Sequence, residues 1–414
     1  MNEAAALRAD FEALAEIGRH PEGGWARPAY SPADCAAHDW FLTRARGAGL
    51  AARYDAFGNG VARLEGNAAT GPRAAIVLGS HLDTVVKGGA FDGALGVLVG
   101  LEVARRLAAS GGVGCPVEVI AFRDEEGRFG PFTGSRAFAG TLPLETLDKL
   151  RAADGVSLVD AMRAAGFDPA AAAQAARDMG GIAAYLELHI EQGPVLEQAE
   201  LPLGIVSAIA GQERLSLRFV GQTDHAGTTP MDLRRDAFAA TARFADRFRN
   251  LVLEDQSRTL RGTVGIVNLT PNQGNVVPGE VRLGLEIRDI DEAAVERTAR
   301  ATEMLAAEVA GEFGVDLKSR SVYREAPVPM DGRLRAALET SARERGAVPM
   351  LLPSGANHDA GVMGRLVPSA MLFVPSRGGR SHCPEEHTDW PPIVLATDVL
   401  EAAVRRLAAD FNSG

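Results

Sequence analysis

The sequence predicts an α/β protein in which a mostly parallel-sheet domain is interrupted by a smaller α+β insertion. Three observations predict it. A strand, a helix and a strand follow one another between residues 74 and 122, the spacing of a βαβ unit. From about Gly211 the texture changes to alternating, half-exposed strands separated by helices. After about residue 328 the first texture resumes, so the first domain is discontinuous. A chain of 414 residues suits two domains.

The elements follow in order. The opening residues, MNEAAALRADFEALAEIG, carry an acidic helical pattern. Residues 74–78 (AAIVL) form a buried-strand run, and residues 92–109 are apolar nearly all round, as a helix packed on a sheet would be. Residues 117–122 form the second strand, and residues 141–180 read as a helical excursion, with helix and turn over the Ala-rich 170–176. Residues 213–220 (ERLSLRFV) alternate. A helix over 235–253, strands over 262–269 and 280–288, a helix over 291–313 and a strand over 315–323 complete a βαββαβ, ferredoxin-like order. A helix from Gly332, a strand over 370–374 and a helix from Pro392 close the first domain. The expected domains are 1–211 with 329–414, and 212–328.

Composition narrows the function. Hydrophobic residues make up 46% and charged residues 23%, an ordinary globular balance that excludes a disordered chain or a fibre. Lys+Arg 43 against Asp+Glu 54 gives −11, a poor match for nucleic acid or an anionic membrane surface. Cys35, Cys115 and Cys383 are too few and too scattered for a disulfide framework or a cysteine-type zinc site. The N-terminus lacks a basic, apolar leader pattern, and no apolar run reaches ~18 residues. The expectation is a soluble cytoplasmic protein.

Chemistry concentrates at strand ends. The first strand runs into GSHLDT, where His81 and Asp83, two apart, share a face of an extended chain. Asp92 follows in the glycine-rich GGAFDGALG, at the start of a helix. The second strand ends in Asp124-Glu125-Glu126-Gly127. Open α/β sheets place their sites at these C-terminal ends. In YLELHIEQGP, Leu186, Leu188 and Ile190 form one face and Tyr185, Glu187, His189 and Glu191 the other, so His189 points away from the apolar face. His382 lies in the turn-rich SRGGRSHCPEEH. Imidazoles and carboxylates without thiolates suit zinc, manganese, cobalt or nickel. Of two adjacent glutamates on an extended backbone, one could bind metal while the other faces water. In the second domain, Val281, Leu283, Leu285 and Ile287 form one strand face, leaving Arg288 on the other, free to reach a cleft and pair with a carboxylate.

The segments GSHLDTVVKGGAFDGALGVLVGLEV, DEEGRF, LELHIEQGPVLE, GQTDHAGTTPM, PNQGNVVPGEV and SRGGRSHCPEEHTDW resemble the hydantoinase/carbamoylase branch of the dinuclear M20 metallo-amidohydrolases. That branch includes N-carbamoyl-L-amino-acid hydrolases, β-ureidopropionases and allantoate amidohydrolases. The likeness runs from about residue 15 to the C-terminus. It implies a metal-binding catalytic domain and an inserted lid and dimerisation domain at 212–328, through which a homodimer forms. It implies two divalent ions per subunit, zinc first, with manganese, cobalt or nickel as alternatives. His81, Asp92 and His189 would hold one ion, and Asp92, Glu126 and His382 the other. Glu125 would be the general base, and Asp83 would orient His81. His225 would polarise the scissile carbonyl, reaching the partner subunit's site. Gln192, His225, Asn275 and Arg288 would bind a small-molecule substrate, with His358 close by. The implied reaction cleaves the carbamoyl amide of an N-carbamoyl-L-amino acid. Allantoate or another N-acyl amino acid is the alternative substrate. A non-catalytic binding protein of this fold would be expected to lack a ligand or the base, and none is missing.

Two departures from the family pattern fall near the expected pocket. Glu125-Glu126-Gly127-Arg128-Phe129 is one residue shorter than usual before the Arg-Phe, and Asn357 stands where a glycine usually precedes His358. Cys383 replaces a small neutral residue and has no second cysteine nearby, so it is not read as a ligand.

Overall fold

The computed structural model describes residues 3–67 and 74–413. The chain divides into two compact units, Met1–Ser207 with Met330–Gly414, and Ala208–Pro329.

The larger unit is built on one sheet whose centre is parallel. Val117–Phe122, Ala75–His81, Ile182–Ile190 and Ser369–Val374 lie side by side in that order, all parallel. The margins are antiparallel: Gly60–Leu64 and Ala51–Tyr54 on one side, Gly204–Ile209 on the other. The βαβ spacing thus foretells the centre, while at one margin the short connection between Ala51–Tyr54 and Gly60–Leu64 makes a hairpin. Three of the central strands are buried along their whole length. The helix Ala94–Ala109 buries almost every residue from Ala94 to Leu107, as its all-round apolar pattern requires. It shares a core with Trp390–Ser413 and Gly332–Arg343, which carry Ile393, Val399, Leu400, Leu334 and Leu338 into the same cluster. The excursion at 141–180 is mostly short 3₁₀ turns around the helix Leu158–Ala164.

The strand Ile182–Ile190 is not apolar on one face and open on the other: Tyr185, Glu187 and His189 are as buried as the leucines. A parallel sheet is covered on both sides, and the short helix Asp359–Met363 packs over this polar face.

The smaller unit has the βαββαβ order. Its sheet runs Asp316–Glu325, Gly211–Val220, Glu280–Asp289, Arg261–Thr270, antiparallel throughout. Ala237–Glu254 and Glu292–Glu312 supply Phe244, Phe248 and Val309 to a core against Leu217, Phe219, Val281 and Leu283. Asp236 and Asp291 cap these helices by accepting from backbone N–H groups.

A buried ion pair underlies the strand end that carries Glu125 and Glu126. Arg123 and Asp34 are fully buried and paired. Asp34 also accepts from Tyr30 N at 2.7 Å, and the Arg123 guanidinium lies 5.0 Å from the Tyr30 ring and 5.2 Å from that of Phe167. Burial alone would raise the Asp34 carboxyl, but the charges of Arg123 and His38 hold it below its ordinary value. A depressed carboxyl contributes stability that is complete above the unfolded value, ~3.9, and is lost as pH falls through the lower folded value. Arg123→Ala leaves that carboxylate buried with only His38 beside it, so we expect a loss of about 3–5 kcal/mol. Urea unfolding at pH 7 measures it, and a loss below about 1 kcal/mol would contradict the pairing.

Candidate metal centre

Three groups of side chains that could hold a metal ion lie in the larger unit: Glu187, His189 and His358 form one, and the other two share one carboxylate. Of these two, His81, Asp92 and His189 form the first, and Asp92, Glu126 and His382 the second.

Each position has a local cause. His81 ends its strand, and its Nδ1 lies 3.0 Å from the Asp83 carbonyl oxygen. A carbonyl only accepts, so Nδ1 carries the proton and Nε2 offers its lone pair. His189 repeats the device, with Nδ1 2.9 Å from the Ile190 carbonyl. Asp92 precedes Gly93, which caps the helix Ala94–Ala109 with φ +63°, and a methyl group there would overlap the His81 ring. Asp92 directs Oδ1 toward His81 Nε2 (3.7 Å) and His189 Nε2 (3.1 Å), and Oδ2 toward His382 Nε2 (3.1 Å). Glu126 Oε2 lies 3.5 Å from His382 Nε2, and Glu125 Oε2 lies 3.6 Å from His81 Nε2.

Asp83 acts differently from expectation. Its carboxylate is 3.7 Å from His81 Nδ1, while the backbone carbonyl makes the contact. The carboxylate instead accepts from Glu125 N (3.3 Å) and Glu126 N (3.2 Å), fixing the turn that carries both glutamates. The preceding Asp124 has φ +58° and accepts from Thr133 Oγ1 at 2.6 Å. Gln192, also left-handed at φ +57°, donates from Nε2 to Asp92 Oδ2 at 2.8 Å. His358 is buried edge-on against His189, with ring centres 4.4 Å apart, and its Nε2 is 2.9 Å from Ser354 Oγ.

The remaining three candidates lie in the smaller unit. His225 pairs with Val276 across a two-residue ladder, and Ala226 N donates to the Asn275 carbonyl, so His225 and Asn275 share one loop structure. His225 is exposed, with Nδ1 accepting from Gly227 N at 3.1 Å. Arg288 is not an open guanidinium: its Nε donates to Glu286 Oε1 at 2.5 Å, two residues away on the same strand face.

The residues fit divalent cations. His81 Nε2 and His189 Nε2 are buried and make no hydrogen bond among the described residues. Burial and then the charges of Glu126, Asp359, Asp92 and Asp83 push the Glu125 carboxyl well up. Burial and Asp92 push Glu126 to about 7. Burial lowers His81 to about 4, so its imidazole is neutral. His189 differs: against the effect of burial, the Asp92 carboxylate 3.1 Å from its Nε2 raises it to about 9. A buried lone pair on His81 and carboxylates crowded by their own charge are what a cation relieves, and it would take the place of the proton between His189 and Asp92.

Sequence reasoning missed three residues. Glu187 accepts from Ser80 Oγ (2.8 Å), Tyr185 OH (3.2 Å) and Ala360 N (2.8 Å), tying three segments beside the histidines. Its position on the His189 face was the available signal. Glu386 and Ser381 contact Asp92 or its backbone. Nothing local in SHCPEEH separates Glu386 from its neighbour Glu385.

Two ligand groups sharing one carboxylate, with a further carboxylate alongside, at the ends of parallel strands, define a candidate two-ion hydrolytic centre. The peptidase family M20/M25/M40 model matches residues 77–406. An N-carbamoyl-L-amino acid amidohydrolase of Geobacillus stearothermophilus is 42% identical over 95% of this chain and 96% of its own. An allantoate amidohydrolase of Bacillus subtilis is 37% identical over 96% of each chain. A solved amidase of the hydantoinase/carbamoylase family from Burkholderia multivorans superposes with TM-score 0.89 at 33% identity, covering 98% of both chains. The chain belongs to the M20/M25/M40 family, in its hydantoinase/carbamoylase branch.

Proposed function

We propose that the protein hydrolyses the carbamoyl amide of an N-carbamoyl-L-amino acid, releasing the amino acid, ammonia and carbon dioxide. The observation that carries this is the Asp92-centred pair of ligand groups with Glu125 beside them. The full-length likeness to the Geobacillus enzyme supports the substrate class. Allantoate, named for the Bacillus subtilis relative, is the second reading.

His81, Asp92 and His189 would hold one divalent ion, and Asp92, Glu126 and His382 the other, with zinc preferred and manganese, cobalt or nickel possible. Such ions supply Lewis acidity and lower the pKa of water from 15.7 toward about 7. Glu125 accepts a proton from the attacking water and returns it to the leaving nitrogen as the carbonyl C–N bond breaks. His225 donates to the developing oxyanion. Gln192, Asn275 and Arg288 orient the substrate, the carboxylate displacing Glu286 from Arg288. His358 packs behind His189. The smaller unit serves as lid and homodimer module. The exposed edge strand Arg261–Thr270, with Ile266 and Val267 outward, supports pairing with a second copy. A cytoplasmic location is supported by cysteines too few and too scattered for a disulfide framework. No described helix is long and apolar enough to cross a membrane.

The test is ammonia release by metal-reconstituted protein on N-carbamoyl-L-amino acids, N-carbamoyl-β-alanine, allantoate and N-acetyl amino acids, with a chelated control. We expect chelator-sensitive turnover of a carbamoyl-L-amino acid. Turnover confined to allantoate would select the second reading. Silence on every carbamoyl compound with metal bound would overturn both. A fully active monomer would remove the dimer from the mechanism.

A further inference from the structure

The two ligand groups differ in how their histidines are held. In the first, His81 and His189 each have Nδ1 against a backbone carbonyl, at 3.0 and 2.9 Å. Both rings are buried at strand ends. His382, the histidine of the second group, is half exposed on a loop, with φ +55°. Among the described residues its Nδ1 has no such hold. Something else must keep that loop against Asp92.

Glu386 does this. Its Oε1 accepts from Phe91 N at 2.9 Å and from Asp92 N at 3.0 Å, across 294 residues of sequence. Its Oε2 accepts from Ser381 Oγ at 2.7 Å, and Ser381 Oγ also lies 3.0 Å from Asp92 Oδ2. One carboxylate therefore grips the backbone of the shared ligand and the hydroxyl beside His382. The contact is close enough to dictate the residue opposite: a methyl group on Gly89 would overlap the Glu386 carboxyl. The glycine-rich GGAFDG segment is thus shaped partly to receive Glu386.

We propose that Glu386 is a positioning residue that docks the His382 loop onto the Asp92 loop, and so sets the affinity of the Asp92, Glu126 and His382 group more strongly than that of the His81, Asp92 and His189 group, whose histidines are held by backbone carbonyls. This rests on the two-ion reading above. Groups that orient metal ligands without touching metal typically govern affinity by about 10–100-fold.

Cobalt(II) titration of the metal-free full chain tests this, followed by calorimetry and visible absorption. Wild type should take two ions. Glu386→Ala should bind the second about 10–100-fold more weakly and weaken the first by clearly less. Gly89→Ala should give the same pattern, since it displaces the carboxyl without removing a polar group. Glu386→Gln should restore the second ion: its carbonyl accepts from both N–H groups, and its amide donates to Ser381, freeing the hydroxyl hydrogen for Asp92. Should Glu386→Ala fail to fold, Ser381→Ala, a small change at a partly buried position, keeps the test and should also weaken the second ion more than the first. Wild-type binding in the Ala variants, equal weakening of both ions, or a Gln variant as weak as Ala would overturn the inference. A wild-type protein that takes fewer than two ions would overturn the two-ion reading itself.

Discussion

Glu125→Gln should lower kcat by about 10²–10⁴-fold, the range for losing a general acid–base, with metal content unchanged. The geometry supports both halves. Glu125 belongs to neither ligand group, yet its Oε2 sits 3.6 Å from His81 Nε2, at the edge of the first. Its backbone N–H is anchored on Asp83, which would hold a glutamine in the same place. The amide has the same shape and cannot take a proton. Ammonia release gives the rate, and elemental analysis gives the metal. A near-native rate would refute the base assignment. Loss of metal along with rate would make Glu125 a ligand instead.

Asp92→Asn should have the opposite signature, emptying both groups at once and reducing activity to the level of the chelated enzyme. Asp92 is the one residue common to both groups, with one oxygen toward His81 and His189 and the other toward His382. Asparagine keeps the size but loses the charge and one acceptor. Direct loss of a ligand should exceed the 10–100-fold cost of losing a group that merely orients one. Equilibrium dialysis with zinc measures it. Retention of even one ion at wild-type affinity would show that Asp92 is not shared. His382→Ala supplies the contrast, since it removes a ligand from the second group only.

Both predictions use residues legible in the sequence, and the reasons are local. His81, Asp92, Glu125 and Glu126 stand at the ends of the strands Ala75–His81 and Val117–Phe122 or in the loops after them. Periodicity marks those strands, and the parallel-sheet rule says which end carries chemistry. Alternation likewise marks the smaller sheet, because one of its faces is buried and the other open. His189 was legible from the alternation of its strand. Its face is polar but not open, and the cover comes from Asp359–Met363, some 170 residues later.

What the sequence determined by itself is therefore the central elements of both units, the inserted order of the two units and the candidate ligands, since each depends on neighbours a few residues apart or on a resemblance carried by short motifs. The tertiary structure alone decided the partners. Asp83 turned from its neighbour His81 to the Glu125 and Glu126 amides. Arg288 closed on Glu286, and Glu386 reached across the chain to Asp92. A side chain's hydrogen bonds are set by which backbone groups folding leaves buried without partners, and those arise from segments that meet only in the folded chain.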